Sequence, residues 1–306
     1  MRSDNHTSTY PWPFLSSYLT SNSRVLDREN DVQISLWGSE AMGSRPPTVS
    51  FPRVMASSDL RGVADLTSMI KEFGFCFVKD TPHNDPDVTR QLLERIAFIR
   101  VTHYGGFYDF TPDLAMADTA YTNLALPAHT DTTYFTEPAG LQAFHLLEHK
   151  PAPGSGYGGG EGEAAEGGKS LLVDGFNAAR ILKQEDPKAY EILSSVRLPW
   201  HASGNAGITI APDKLYPVLE LDEDTGELHR VRWNNDDRGV VPFGEKYSPS
   251  EWYEAARKWD GILRRRSSEL WVQLEPGKPL INRDDFISRW RNTNYPRSEV
   301  LPRVTG

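Results

Sequence analysis

The run PAHTDTTYF at 127 to 135 puts His129 and Asp131 two residues apart in a stretch whose composition predicts a β-strand. Side chains at i and i+2 of a strand point to one face. An imidazole and a carboxylate placed so can grip one metal ion and leave part of its coordination sphere open. Two histidines and one carboxylate on a common face form the Fe(II) site of non-haem oxygenases, with three positions filled and three open. Two donors do not complete such a site, and the same triplet also fits a solvated strand edge.

The elements around the pair read from hydrophobic period and caps. Leu60, Val63, Leu66 and Ile70 predict a helix running to Gly74, followed by a strand from Phe75 to Lys79. A second helix opens with Asp85 as N-cap and Pro86 at its first position, and Leu92, Leu93, Ile96 and Ile99 form its apolar face. Beyond residue 120, short strands are expected at 129 to 135, 141 to 148, 170 to 174, 216 to 221, 229 to 235 and 269 to 275, an antiparallel sandwich or barrel pattern. A helix over 176 to 194 interrupts them. Another starts at Ser248, where Ser248 and Glu251 make a capping box and Trp252, Ala255, Ala256, Trp259 and Leu263 share one side. The Gly-rich, acidic segment 152 to 168 reads as a surface loop between strands.

Composition narrows the classes of function. The 306 residues, 38% hydrophobic, can bury a substantial core, and the net charge of −9 argues against nucleic-acid or anionic-membrane partners. The triple Arg264 to Arg266 closes an expected helix, where cations complement the helix dipole. A single cysteine, Cys76, excludes an intrachain disulfide and a cysteine-rich zinc module, and suits a reducing compartment. No apolar run approaches the roughly 18 residues of a membrane span. The first residues carry neither an apolar signal core nor an Arg-rich amphipathic helix, so a cytoplasmic protein is expected.

Four blocks carry a resemblance: HYGGFYDF from 103, DTAYTNLALPAHTDTTYFTEPAGLQAFHLLEH from 118, GGKSLLVDGF from 167 and VRWNNDDRG from 231. They resemble the trimethyllysine and γ-butyrobetaine dioxygenases of the taurine dioxygenase superfamily, from about residue 35 to about 280. The resemblance implies an α+β fold: a double-stranded β-helix, or jelly roll, with flanking helices, occupying 51 to 306 after a remnant N-terminal segment, 1 to 50. It implies Fe(II), 2-oxoglutarate as co-substrate, ascorbate, O2 and a small-molecule substrate, N6,N6,N6-trimethyllysine hydroxylated at C3, and is compatible with a homodimer. His129 and Asp131 match the first two iron ligands. Ser170 matches the hydroxyl that bonds the distal carboxylate of 2-oxoglutarate, and Arg289 and Arg291 are candidates to replace the arginine that pairs with it.

Tyr104, Tyr108 and Tyr121 match aromatic positions around the substrate's trimethylammonium group. A quaternary ammonium donates no hydrogen bond, but ring faces can hold it at up to about 2 kcal/mol each when desolvated. Asp118 suits the α-ammonium of a free amino acid. Asn234 and Asn235 fit contacts to the substrate carboxylate, or equally a tight turn closed by Asx hydrogen bonds.

The chain departs from the pattern after WVQLEPGKPLI, which ends at Ile281. Relatives place there a second iron histidine, followed by an arginine and a last jelly-roll strand. Residues 282 to 306 contain no histidine, and no final strand is evident. His145, on the strand after the HxD run, is one substitute if it faces inward, and Asp284 or Asp285 could offer oxygen. Of the family's N-terminal zinc subdomain, only the tail is expected in this sequence. Three readings follow: a trimethyllysine hydroxylase with an odd C-terminus, a diverged amino acid oxygenase of secondary metabolism, or a jelly roll that binds a quaternary ammonium ligand without turnover.

Overall fold

The computed structural model describes residues 7–12, 15, 33–110, 127–149, 169–202, 207–244, 246–283, 287–290, 297–300 and 303–304. Two units separate, Met1–Ile34 and Ser35–Gly306. In the first, the Leu15 amide donates to the Pro11 carbonyl over 3.2 Å, and Tyr10 and Trp12 are exposed.

The second unit opens with helix α1 (Ser39–Gly43), strand β1 (Thr48–Ser50), the single turn α2 (Phe51–Val54), α3 (Arg61–Phe73), β2 (Phe75–Lys79), α4 (Pro86–Ile96) and β3 (Asp109–Phe110). Then come β4 (Leu141–His149), β5 (Lys169–Val173), α5 (Gly175–Glu185), α6 (Pro187–Ser195), β6 (Leu219–Leu221), β7 (Leu228–Val231) and α7 (Pro249–Leu263). It ends with β8 (Leu270–Gln273), β9 (Leu280–Arg283), β10 (Ile287–Trp290), β11 (Arg297–Val300) and β12 (Arg303–Val304). The larger sheet has the order β1-β2-β9-β4-β11-β3 with β12 also on β4, and only β1 and β2 run parallel. The smaller sheet is β10-β5-β8, antiparallel, beside the β6-β7 pair.

Period-2 alternation divides the interior. On β2, Phe75 and Phe77 join Phe144, Leu146, Leu172, Leu270 and Leu280 between the sheets, while Cys76 and Val78 join Leu66, Ile70, Leu92, Leu93, Ala143 and Ile281 beneath α3 and α4. Beyond the smaller sheet, Leu171 and Val173 pack on α5, α6 and α7 through Leu182, Leu193, Trp252 and Trp259. The result is a jelly roll with a helical layer on each side. Each fully buried Leu, Ile or Phe contributes about 1.5–3 kcal/mol of transfer free energy. Burial pushes the Cys76 thiol up to about 12 against a backbone hydrogen bond at Val49, so it stays protonated.

The helix ends follow local rules. Gly74 closes α3 with φ 81°, a left-handed conformation that costs glycine least, and its amide donates to Ile70 O. Asp85 caps α4 through the Asp87 amide, and the Ser248–Glu251 box opens α7. The helix expected over 176 to 194 is two helices, because Pro187 has no N–H to continue the first. Asp186 ends α5 and caps α6 by accepting from Ala189 N at 2.9 Å.

Two other expectations are corrected. Residues 129 to 135 form a loop, not a strand, and Thr132 within it has φ 51°. The segment after 282 does hold strands, with β10 extending the smaller sheet and β11 and β12 pairing with β4. Among the described residues, no helix is long and apolar enough to cross a membrane.

Candidate active site

The loop of His129 and Asp131 is pinned from the segment that follows β7. Thr130 N donates to Trp233 O at 2.7 Å, and Trp233 N returns a bond to Thr130 Oγ1 at 2.9 Å. Arg232, wholly buried, gives its guanidinium to the carbonyls of Thr133 and Phe135 and pairs with Glu220 at 2.9 Å. Thr133 Oγ1 donates to Asp237 Oδ2 at 2.7 Å, and Ala139 N donates to Thr132 Oγ1 at 3.2 Å. These bonds hold the loop where an extended strand would splay it, and they turn the two functional side chains toward each other.

His129 Nδ1 donates to the Pro127 carbonyl at 2.8 Å, which leaves Nε2 facing Asp131 Oδ1 at 3.6 Å. Metal–donor bonds of about 2.1 Å meeting at a right angle set two donors about 3 Å apart, so this pair, at 3.6 Å, needs only a small closure to serve as adjacent ligands on one ion. Gln142 Nε2, on the inward face of β4, donates to the other carboxylate oxygen, Oδ2. Burial opposes a charge on His129, but Asp131's hydrogen bond and charge, the Pro127 carbonyl and the charge of Asp237 outweigh it. The imidazole is thereby pushed up to about 9. The field at this point favours a cation, which fits the donor set to a divalent ion.

The third donor is not found among the described residues, where no group of three His, Cys, Asp or Glu side chains could hold a metal ion. His145 is excluded by direction. It alternates with Gln142 and Phe144 on β4, lies fully buried on the α4 side, and bonds Thr89 Oγ1 through Nδ1 at 2.7 Å. Burial, with the nearby His83, lowers its imidazole to about 4. His229, exposed on β7, lines a cavity of about 180 Å³ with Thr130, Asp131, Gly140, Arg230 and Arg283. That cavity sets basic side chains beside Asp131. Asp284, Asp285 and Arg291 lie outside the described residues, as do Asp118 and Tyr121.

Ser170 stands on β5, 3% exposed, and alternation with Leu171 and Leu172 turns it toward the space between the sheets. Its Oγ has no hydrogen-bond partner among the described residues, the state expected of a hydroxyl that awaits a ligand. Tyr104 and Tyr108 are half-buried. Tyr104 lies 4.0 Å, ring to ring, from His103, which meets Tyr134 of the His129 loop at 5.8 Å, so one tyrosine of the expected cage is joined to the metal pair through aromatic contacts.

Asn234 and Asn235 are engaged in their own turn. Asn234 Oδ1 accepts from Asp236 N at 3.0 Å and its Nδ2 donates to Asp237 Oδ2 at 3.0 Å, while Asn235 Oδ1 accepts from Arg238 Nη2 at 3.1 Å. The buried member of this run is Asp237, which sequence reasoning passed over. Burial and the charge of Asp131 push its carboxyl up to about 6 against the Thr133 hydrogen bond and the charge of His129. Gln142 was passed over too, though a polar residue in phase with inward-facing Phe144 and Leu146 is a readable signal.

The profile of the Taurine catabolism dioxygenase TauD, TfdA family matches residues 33–282. A protein named trimethyllysine dioxygenase from Neurospora crassa is 80% identical over an alignment of 347 residues, covering 99% of this chain and 72% of that protein. The mouse protein named trimethyllysine dioxygenase, mitochondrial, is 35% identical over 297 residues, 94% of this chain and 63% of its own length. Among solved structures, PvcB, titled an Fe, alpha-ketoglutarate dependent oxygenase from an isonitrile synthetic pathway, aligns with TM-score 0.56 at 14% identity. It covers 80% of each chain, a likeness of fold.

Proposed function

The chain belongs to the TauD, TfdA family of dioxygenases, and from that premise we propose that it hydroxylates N6,N6,N6-trimethyllysine at C3. The observation that carries this reading is the convergence of His129 Nε2 and Asp131 Oδ1 at 3.6 Å, in a chain 80% identical to a protein of that name. Fe(II) with 2-oxoglutarate and O2 supplies the oxidising chemistry, one oxygen atom going to the substrate carbon and the other to succinate, with release of CO2. The chain's own residues bind and orient.

His129 and Asp131 would hold two positions of Fe(II), and Ser170 Oγ and Arg291 would take the distal carboxylate of 2-oxoglutarate. Tyr104, Tyr108 and Tyr121 would enclose the trimethylammonium group, and Asp118 would pair with the α-ammonium. Asn234 and Asn235 meet a substrate carboxylate only by giving up their turn bonds, so in this reading Asn234 is the nearer candidate, being half-buried where Asn235 is exposed. Ascorbate would keep the metal reduced. A homodimer and a cytoplasmic location complete the proposal; the mitochondrial name of the mouse relative makes organelle fractionation the check on the second, and light scattering checks the first.

The decisive assay supplies Fe(II), 2-oxoglutarate and ascorbate, with trimethyllysine or unmethylated lysine, and follows succinate together with hydroxylated amino acid. We expect equimolar succinate and hydroxytrimethyllysine from the chain and none from His129→Ala. Turnover of lysine alone would move the substrate assignment to another amino acid. Retained trimethyllysine binding without succinate would make the chain a binder.

A further inference from the structure

The facing strands β4 and β9 each carry an amide where alternation places side chains between the sheets. Gln142 and Asn282 are direct cross-strand partners, 4% and 0% exposed, among Phe75, Phe144 and Leu280. Gln142 Oε1 and Asn282 Oδ1 are buried with no hydrogen-bond partner among the described residues. A buried carbonyl left unpaired costs stability, and an apolar side chain of similar volume would remove that cost. The core therefore gains nothing from an amide at 142. What the amide does is donate through Nε2 to Asp131 Oδ2, the oxygen not facing His129.

We propose that Gln142 is a positioning residue for the metal site. By occupying Oδ2 it helps fix the rotation of the Asp131 carboxylate and turns Oδ1 toward an ion beside His129 Nε2. A carboxylate that offers both oxygens can bind through both, closing one of the positions that co-substrate and O2 require. The outer hydrogen bond selects single-oxygen binding and lowers the entropy lost on loading the ion. The inference rests on the reading of His129 and Asp131 as metal ligands.

The test uses the full chain and Mn(II) as probe, with free Mn(II) read by electron paramagnetic resonance and the melting temperature of the metal-free protein measured in parallel. For Gln142→Met we expect Mn(II) affinity 10- to 100-fold weaker, with the metal-free melting temperature unchanged or raised. Gln142→Asn, whose shorter side chain keeps the amide but falls short of Asp131, should lose affinity similarly. His145→Gln, altered on the opposite face of β4, should bind as wild type does. Affinity within twofold of wild type in Gln142→Met overturns the proposal, as does failure of both variants to fold, which would make the amide a packing element. Should wild type and His129→Ala bind Mn(II) equally poorly, the ligand reading itself is wrong, an outcome separate from a failure confined to Gln142.

Discussion

Replacing Arg232 with Met is the most informative perturbation of the scaffold. Its guanidinium is the hub of the His129 loop: Nη1 holds the Thr133 and Phe135 carbonyls, Nε pairs with Glu220 at 2.9 Å, and the group lies 4.3 Å from the Tyr216 ring. The arginine side chain is 0% exposed and Glu220 only 12%, and burial lowers the guanidinium pKa, with Glu220 opposing that fall. Removing one member of such a pair costs about 3–5 kcal/mol, and Arg230 Nη1, 3.7 Å from Glu220, puts the loss here toward the low end. The freed carbonyls face the same kind of loss at about 1–3 kcal/mol each, part of which water entering the loop recovers.

A net loss of about 4 kcal/mol, at 2–4 °C per kcal/mol for a domain of this size, lowers the melting temperature by roughly 8–16 °C. The companion variant Arg232→Met with Glu220→Met removes both charges, and exchange of a buried pair for apolar groups is often neutral or stabilising. We therefore expect scanning calorimetry to show most of the loss recovered in the double variant. Mn(II) affinity should stay impaired in both, because neither restores the loop carbonyls' donor. A single-variant shift under about 2 °C, or a double variant no more stable than the single, would refute the assignment of the loop's order to this pair.

Three further outcomes are expected. Ser248→Ala removes one half of the capping box of α7 and should cost about 1 kcal/mol, a fall of about 2–4 °C by thermal circular dichroism. His145, held near 4 by burial and by His83 against an ordinary value of 6.5, stays neutral in the fold while the unfolded chain takes up a proton. Stability should thus be full above pH 6.5 and fall by about 3 kcal/mol as pH drops from 6.5 to 4, with no further loss from this group below that. His145→Gln should flatten that segment of a urea-midpoint profile. Cys76, buried with its thiol raised to about 12, should resist a disulfide-exchange reagent in the native chain and react fully in denaturant.

The helices were legible because their signals are local. The apolar period of α3, the Asp85–Pro86 start of α4 and the Ser248–Glu251 box of α7 each sit within a few residues; α3 and α7 appear within a residue or two of their expected bounds, while α4 ends at Ile96, short of the Ile99 expected on its face. The strands β2, β4, β5 and β8 could be read from alternation against a buried face. The His129 loop could not. Thr, Tyr and Phe give 129 to 135 strand composition, but Arg232 and Trp233, a hundred residues away, decide its path. The same distance hid Asp237, which meets Thr133 from 104 positions away; Gln142, only 11 positions from Asp131, could have been read from its phase with Phe144 and Leu146. The C-terminal strands β10 and β11 were invisible for a different reason: ISRW and RSEV show no clean alternation, and their pairing is a matter of backbone bonds to β5 and β4.

The two faces of β4 also set what genetic change the protein can absorb. Because Gln142 and His145 differ in phase by an odd number, loss of one codon between them would turn His145 inward and leave Thr89 without its bond, while residues beyond the deletion all exchange sides. Substitutions along the strand are graded injuries; a single-codon indel is a reversal of the whole sheet register. Natural variation in this stretch should accordingly be found as amino-acid exchange at constant length, with insertions confined to segments outside the strand.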